Sequence, residues 1–425
     1  MKITRMLALL CGAVLATLSA VPVCSAAGKE EPAALWNGRE VAAIASANRP
    51  DTCMVMGLCY YYGLGIEQDI QQAVHWFTLG AEGGHADCMR ELAKLYRFGV
   101  LVPKDSAKAL SYMRQAIRGG NESAGVMLAW CYLIGDGVEQ DFARAYQLFL
   151  RAARNGDGEA CYWVGICHHM GYGVPADNTA AYQWYGVGAW HGSLNCMTAL
   201  GRSYARAEGT RRDLSQSRYW LQRAQSQGVY AAEIIHRDLE LAQAVTPVPL
   251  EHLSQLSAQQ CWEQYLCCIY TDAGSPEQAD TWLRRAVELG HHAAAGELAT
   301  ERFSLRSAPQ QNALYLPALE KAAAAGDPQS IHAMANYYTM GLSGKGYDIR
   351  EAARCIEQYA ELTGCAGAIL SVAEGYVIGI YTGKPDIVQA ATRTKQSAEK
   401  GCKLALEFVA VFELFSRSAQ QTQKN

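Results

Sequence analysis

Residues 132–156 read YLIGDGVEQDFARAYQLFLRAARNG, and the fold is decided there. Gly135 and Gly137 stand after an apolar run ending in Ile134, where glycine supplies the backbone angles that stop a helix and turn the chain. Asp141 follows, just before the first turn of a second helical pattern that carries Ala145 and Ala152. An aspartate at that point accepts hydrogen bonds from the first free amides of a helix, as an N-cap. Gly156 closes the second helix. The stretch therefore predicts the end of one helix, a glycine loop, and a whole second helix.

The same arrangement returns every 36 residues. Asp141 belongs to the row Asp69, Asp105, Asp141, Asp177 and Asp213; nine residues earlier stand Tyr60, Tyr96, Tyr132, His168 and Tyr204. Small residues, Gly57, Ala93, Ala129, Gly165 and Gly201, precede these by three, and Gly84, Gly120, Gly156, Gly192 and Gly228 end each unit. Self-similarity at one period of this length is the signature of stacked repeats. The predicted fold is all-α: a right-handed α/α superhelical solenoid of tandem helix pairs. Gln72, Gln216, Glu351 and Gln389 stand three residues after aspartates and predict capping boxes. The five aspartates are read as structural caps, since copies roughly 10 Å apart in successive repeats do not assemble one catalytic or metal site. Trp76, Trp184 and Trp220 are read as core.

The pattern small-x-x-Tyr-x-x-Gly-x-Gly-Val-x-x-Asp-x-x-x-Ala, continued by Trp-x-x-x-Ala-x-x-x-Gly, resembles the Sel-one-like repeat (SLR), a relative of the tetratricopeptide repeat. Residues 132–156 carry it nearly intact, and five repeats hold register from 50 to 229. The resemblance implies an α/α superhelix that serves as an adaptor or scaffold for other proteins. Some exported, cysteine-rich members of that family are linked to weak penicillin binding or hydrolysis. No nucleophile is read here beside a base, and no clustered Cys-x-x-Cys or His-x-x-x-His spacing is read, so no catalytic residue, cofactor or metal is expected. A cell-envelope protein recognising peptidoglycan or another glycan is the alternative reading.

Bulk properties narrow the class further. A net charge of −4 over 425 residues argues against a nucleic-acid partner. Lys2 and Arg5 precede the apolar run from Met6 to Ala20, and Ser25-Ala26-Ala27 offers small residues for cleavage. The expectation is an exported protein, periplasmic or secreted, without membrane insertion after signal removal. The domain reading is a signal peptide at 1–27, an N-terminal segment at 28–49, and five repeats with a capping helix at 50–243. A linker containing Pro247 and Pro249 follows at 244–257, then degenerate repeats with a closing helix at 258–425.

Thirteen of the fifteen cysteines lie beyond position 27. Cys53 with Cys88, and Cys161 with Cys196, are spaced one residue short of the repeat. This rotates the two side chains by about 100° relative to one another on neighbouring helices. Both pairs are candidate disulfides. The first helix of each repeat is expected to line the concave side, with an open row through Met127, Trp130, Trp163, Met170, Arg202 and Arg206. These six are the candidate contacts for a protein or peptide partner, with the aromatic groups as anchors and the arginines suited to carboxylates. Arg90, Lys94 and Arg97 are read as a solvated stripe.

Overall fold

The computed structural model describes residues 50–64, 66–302, 313–342 and 348–402, together with 405, 406, 409 and 416. The expected signal sequence, the N-terminal segment and most of the expected closing helix lie outside them. Among the described residues there are nineteen α-helices, one short 3-10 turn and no strand. The five repeats supply α1 (Pro50–Tyr62) with α2 (Ile70–Glu82), α3 (Ala86–Phe98) with α4 (Ser106–Arg118), and α5 (Glu122–Ile134) with α6 (Phe142–Arg154). They continue with α7 (Gly158–Met170) and α8 (Asn178–Trp190), then α9 (Leu194–Arg206) and α10 (Leu214–Gln225). After them come α11 (Tyr230–Ala244), α12 (Ala258–Tyr270), α13 (Pro276–Glu288), α14 (His292–Arg302), α15 (Leu316–Ala324) and α16 (Pro328–Thr339). The last three are α17 (Ile349–Thr363), α18 (Ala366–Val377) and α19 (Ile387–Glu399). The two helices of a repeat pack on one another, as α1 does on α2, α3 on α4, α7 on α8 and α9 on α10, the pairing of an α/α solenoid.

Each hairpin is latched by its backbone. The amide of Asp69 donates to the carbonyl of Tyr60, and Asp105, Asp141, Asp177 and Asp213 do the same to Tyr96, Tyr132, His168 and Tyr204. Their side chains meanwhile accept from the first free amides of the second helix, as Asp69 Oδ1 does from Gln71 and Gln72 at 2.8 and 3.0 Å. This latch corrects the expected capping boxes: the amide that Gln72 or Gln216 would have to reach is already taken. Complete boxes form instead at Ser257 with Gln260 and Ser275 with Gln278.

The small residue of the first helix is there to admit a large one from the second. A Cβ on Gly57 would lie 2.3 Å from Phe77, and one on Gly165 2.3 Å from Tyr185. Phe77 and Tyr185 are buried, whereas Trp76 and Trp184, one position earlier, are only half-buried. The core position is thus one residue later than expected, with Trp220 alone among the three tryptophans buried.

The chain divides into two compact units, Met1–Leu128 with Ile369–Asn425, and Ala129–Ala368. In the first, Val377, Ile387, Ala390 and Ala391 share one core with Met56, Phe77, Cys88 and Leu92. Gln68 ties the same two stretches together, donating to the carbonyls of Tyr61 and Pro385 at 2.9 and 2.8 Å. In the second, α11, α12, α13 and α14 surround Trp262, Tyr265, Trp282 and Leu283. The expected linker runs within this second unit, pinned by Gln264, which receives the amide of Val248 and donates to the carbonyl of Thr246, both at 2.9 Å.

Candidate functional site: a cleft in the second unit

The second unit carries a cleft of about 710 Å³, walled by α7, α9, α11, α12, α14 and α16. That size is within the ordinary range of binding clefts. Tyr162, Ile166 and Met170 enter from α7, Arg202 and Arg206 from α9, and Ile234, Ile235 and Asp238 from α11. Leu266, Ile269 and Tyr270 line it from α12, and Glu297 and Glu301 from α14. Apolar walls therefore alternate with charge.

The charges are organised around Arg206. Its guanidinium meets Glu297 at 2.6 Å and Glu301 at 3.6 Å, and lies 5.4 Å from the centre of the Tyr270 ring. Tyr265 donates its hydroxyl towards both carboxylates at 2.9 Å. Burial pushes Glu297 up, but Arg206 and the Tyr265 hydroxyl outweigh it and leave the carboxyl below its usual range. Asp238 behaves in the opposite way: burial raises it to about 6, against the pull of Arg237. Arg202 lies 3.7 Å from Glu208. The Nε donors of both Arg202 and Arg206 are buried without an acceptor.

The six candidate contacts separate into two groups. Met170, Arg202 and Arg206 line the cleft. Trp130 and Trp163 are half-buried and packed on each other, ring centres 4.3 Å apart, with Phe149 against both. Met127 is buried. The expected open row is in fact packed between neighbouring helices over much of its length: Val55, Leu58, Cys59 and Tyr62, its first copies, are all buried. Residues equivalent on neighbouring first helices meet in the stack, and the later copies reach this cleft. Sequence periodicity also missed Glu297, Glu301 and Tyr265, which lie outside the regular register. It missed Trp190 as well, which is 82% exposed at the end of α8.

Two further corrections concern charge and nucleophiles. Arg90, Lys94 and Arg97 do not form a solvated stripe. Arg90 and Arg97 are buried, and Arg90 bonds Glu91 at 2.8 Å and Asp87 at 3.0 Å while Lys94 pairs with Glu91. A Ser-x-x-Lys spacing does occur, at Ser397 and Lys400, but the serine is wholly buried in α19 and the lysine exposed at the helix end. The aspartates Asp69, Asp105, Asp141, Asp177 and Asp213 stand at N-caps of α2, α4, α6, α8 and α10. Cys53, Cys88, Cys161 and Cys196 are buried thiols.

A known family of repeats agrees with the 36-residue register. The Sel1 repeat profile matches residues 50–85, 86–121, 125–157, 158–188, 194–229 and 328–363. No curated protein sequence matches the chain. Among solved structures, the chain is similar to a protective antigen of uropathogenic Escherichia coli displaying an SLR fold. That match has 25% identity and a TM-score of 0.46, over 90% of this chain and 85% of that one. It is also similar to a Sel1 repeat protein from Oxalobacter formigenes, at 23% identity and a TM-score of 0.43, over 58% of this chain and 91% of that one.

Proposed function

This chain belongs to the Sel1 repeat family, and we propose that it is an exported scaffold that holds a segment of another protein in the cleft of its second unit. Sel1 repeat proteins generally mediate protein–protein interaction, and the cleft is the observation that carries the reading. Its apolar side chains from α7, α11 and α12 give a partner something to bury. The Arg202 guanidinium, half-buried at the cleft wall, gives a carboxylate of the segment a defined place. Met170 and Arg202 are the contacts of first choice, being half-buried at the cleft wall. Trp130 and Trp163, covered by one another, stiffen the neighbouring stack. Export rests on the basic and apolar N-terminal sequence and its small-residue end.

Crosslinking in intact cells followed by mass spectrometry identifies the partner, and calorimetry against that partner tests the cleft. Arg202→Ala should weaken binding about tenfold or more and flatten its salt dependence, with the melting temperature unchanged. Parental affinity in both Arg202→Ala and Ile166→Asp would remove the cleft from consideration. Recovery of cell-wall fragments in place of protein would favour the glycan reading.

A further inference from the structure

Two places in the repeat stack break its rule in the same way. At the position of Gly80, successive repeats carry Gly80, Ala116, Ala152, Gly188 and Ala224. Eight residues later they carry Cys88, Ala124, Ala160, Cys196 and Ala232, and at the position of Cys53 they carry Cys53, Met89, Gly125, Cys161 and Met197. Cysteine therefore occupies both flanking positions only where the middle residue is glycine; the other three repeats have alanine in the middle and alanine after it.

The geometry explains the exchange. A Cβ built on Gly80 would lie 2.4 Å from the sulfur of Cys88 and 3.1 Å from the β-carbons of Cys53 and Cys88. A Cβ built on Gly188 would lie 2.2 Å from the sulfur of Cys196 and 2.9 Å from the β-carbon of Cys161. The missing side chain leaves open the space between the two cysteines of each pair. The β-carbons of Cys53 and Cys88 are at most about 6 Å apart, against roughly 3.5–4.5 Å in a closed bridge.

We infer that Cys53–Cys88 and Cys161–Cys196 are disulfide staples, each passing over a glycine of the intervening helix and each tying one repeat to the next. The chemistry is thiol–disulfide exchange with a disulfide oxidant. One cysteine thiolate attacks the oxidant's disulfide, forming a mixed disulfide and releasing one thiol. The second cysteine thiolate attacks the first cysteine's sulfur, closing the bridge and releasing the other thiol. Two protons and two electrons pass from the pair to the oxidant. Exchange requires thiolate and access, and the folded chain offers neither. All four cysteines are buried, and burial pushes Cys88 and Cys196 well up and Cys161 to about 11. The staples therefore close while the repeats assemble, and a chain folded in a reducing compartment stays unbridged.

The inference rests on the export reading for its biological setting but not for its test. The reduced, unfolded full chain is refolded with a mixture of reduced and oxidised glutathione, alkylated, and mapped without reductant. Peptides linked through Cys53–Cys88 and Cys161–Cys196 are expected. Gly80→Ala should cut the first linkage at least tenfold and leave the second untouched. Because Gly80→Ala alone can impair folding, Gly80→Ala with Cys88→Ala restores the alanine pair of the other repeats and should recover the parental yield of folded protein. The native reduced chain, given oxidised glutathione without denaturant, should remain unbridged over the time in which the refolding chain closes. All four cysteines alkylated, linkage to other cysteines, or full first-pair bridging in Gly80→Ala overturns the proposal. Bridges that form on refolding in a protein recovered reduced from cells would count against export and leave the pairing intact.

Discussion

One position of the first helix, followed through the repeats, reads Leu58, Lys94, Trp130, Ile166, Arg202 and then Asp238 in α11. In the first unit Lys94 finds its partner one turn away, and the cluster of Asp87, Arg90, Glu91 and Lys94 lies on a single helix. In the second unit Arg206, one turn beyond Arg202, pairs with Glu297, 91 residues along the chain. The same scaffold face thus carries two kinds of charge. One is closed locally and packed away; the other is assembled from distant helices and left beside a cleft. The contrast teaches that in a repeat stack the register fixes where a side chain stands, while its surroundings are fixed by what the chain brings back to it.

The largest effect should come from opening the local cluster. Glu91→Gln removes the carboxylate that buried Arg90 shares with half-buried Lys94, leaving Arg90 only Asp87, and should cost about 3–5 kcal/mol in chemical denaturation. Glu297→Gln should cost markedly less, about 1–2 kcal/mol, because Arg206 keeps Glu301 beside it. Equal losses would erase the distinction between the two clusters.

Asp238 sharpens it from the side of pH. Its folded value of about 6 lies above the ordinary aspartate range, so folding favours the protonated form. The contribution is complete below about pH 4, declines as pH rises through 6, and is gone above that, a change of roughly 2–3 kcal/mol. Asp238→Asn should remove this slope and make the protein more stable than its parent at pH 7; stability profiles of the two between pH 4 and 8 decide it.

Packing should treat both units alike. Gly57→Ala and Gly165→Ala each drive a methyl into an aromatic ring of the second helix, for about 1–3 kcal/mol of overpacking apiece. A large inequality in denaturation midpoints would mean that one unit yields where the other does not. The smallest change concerns Ala207, the one non-glycine residue with positive φ among the described residues, at 57°. Gly63, Gly99, Gly135 and Gly171 fill that position in the other repeats. Ala207→Gly should stabilise by about 1 kcal/mol, seen as a rise in melting temperature.

The hairpins were legible because every determinant lies within one repeat: the paired glycines, the aspartate cap and the small residue opposite a large one. The site was legible only in part. Met170, Arg202 and Arg206 followed from periodicity, since the register gives the face of a helix. Glu297, Glu301 and Tyr265 did not, because α12 and α14 depart from the 36-residue spacing and their meeting with α9 is a property of the folded chain. The burial of Arg90 is hidden from the sequence for a related reason. Its charge reads as solvent-facing until Asp87, Glu91 and Lys94 are recognised as one neutralising cluster on the same helix. Trp130 and Trp163 stand on a face that neighbouring repeats present to each other.

The bond from Gln68 to Pro385 bears on how the molecule comes into being. In an ordinary repeat array each unit needs only its neighbours, so folding can start anywhere and spread. Here the first repeats share a core with residues made more than 300 positions later. Contacts of such long separation slow folding. During synthesis the earliest repeats must wait, incompletely covered, until Val377 to Ala391 have emerged.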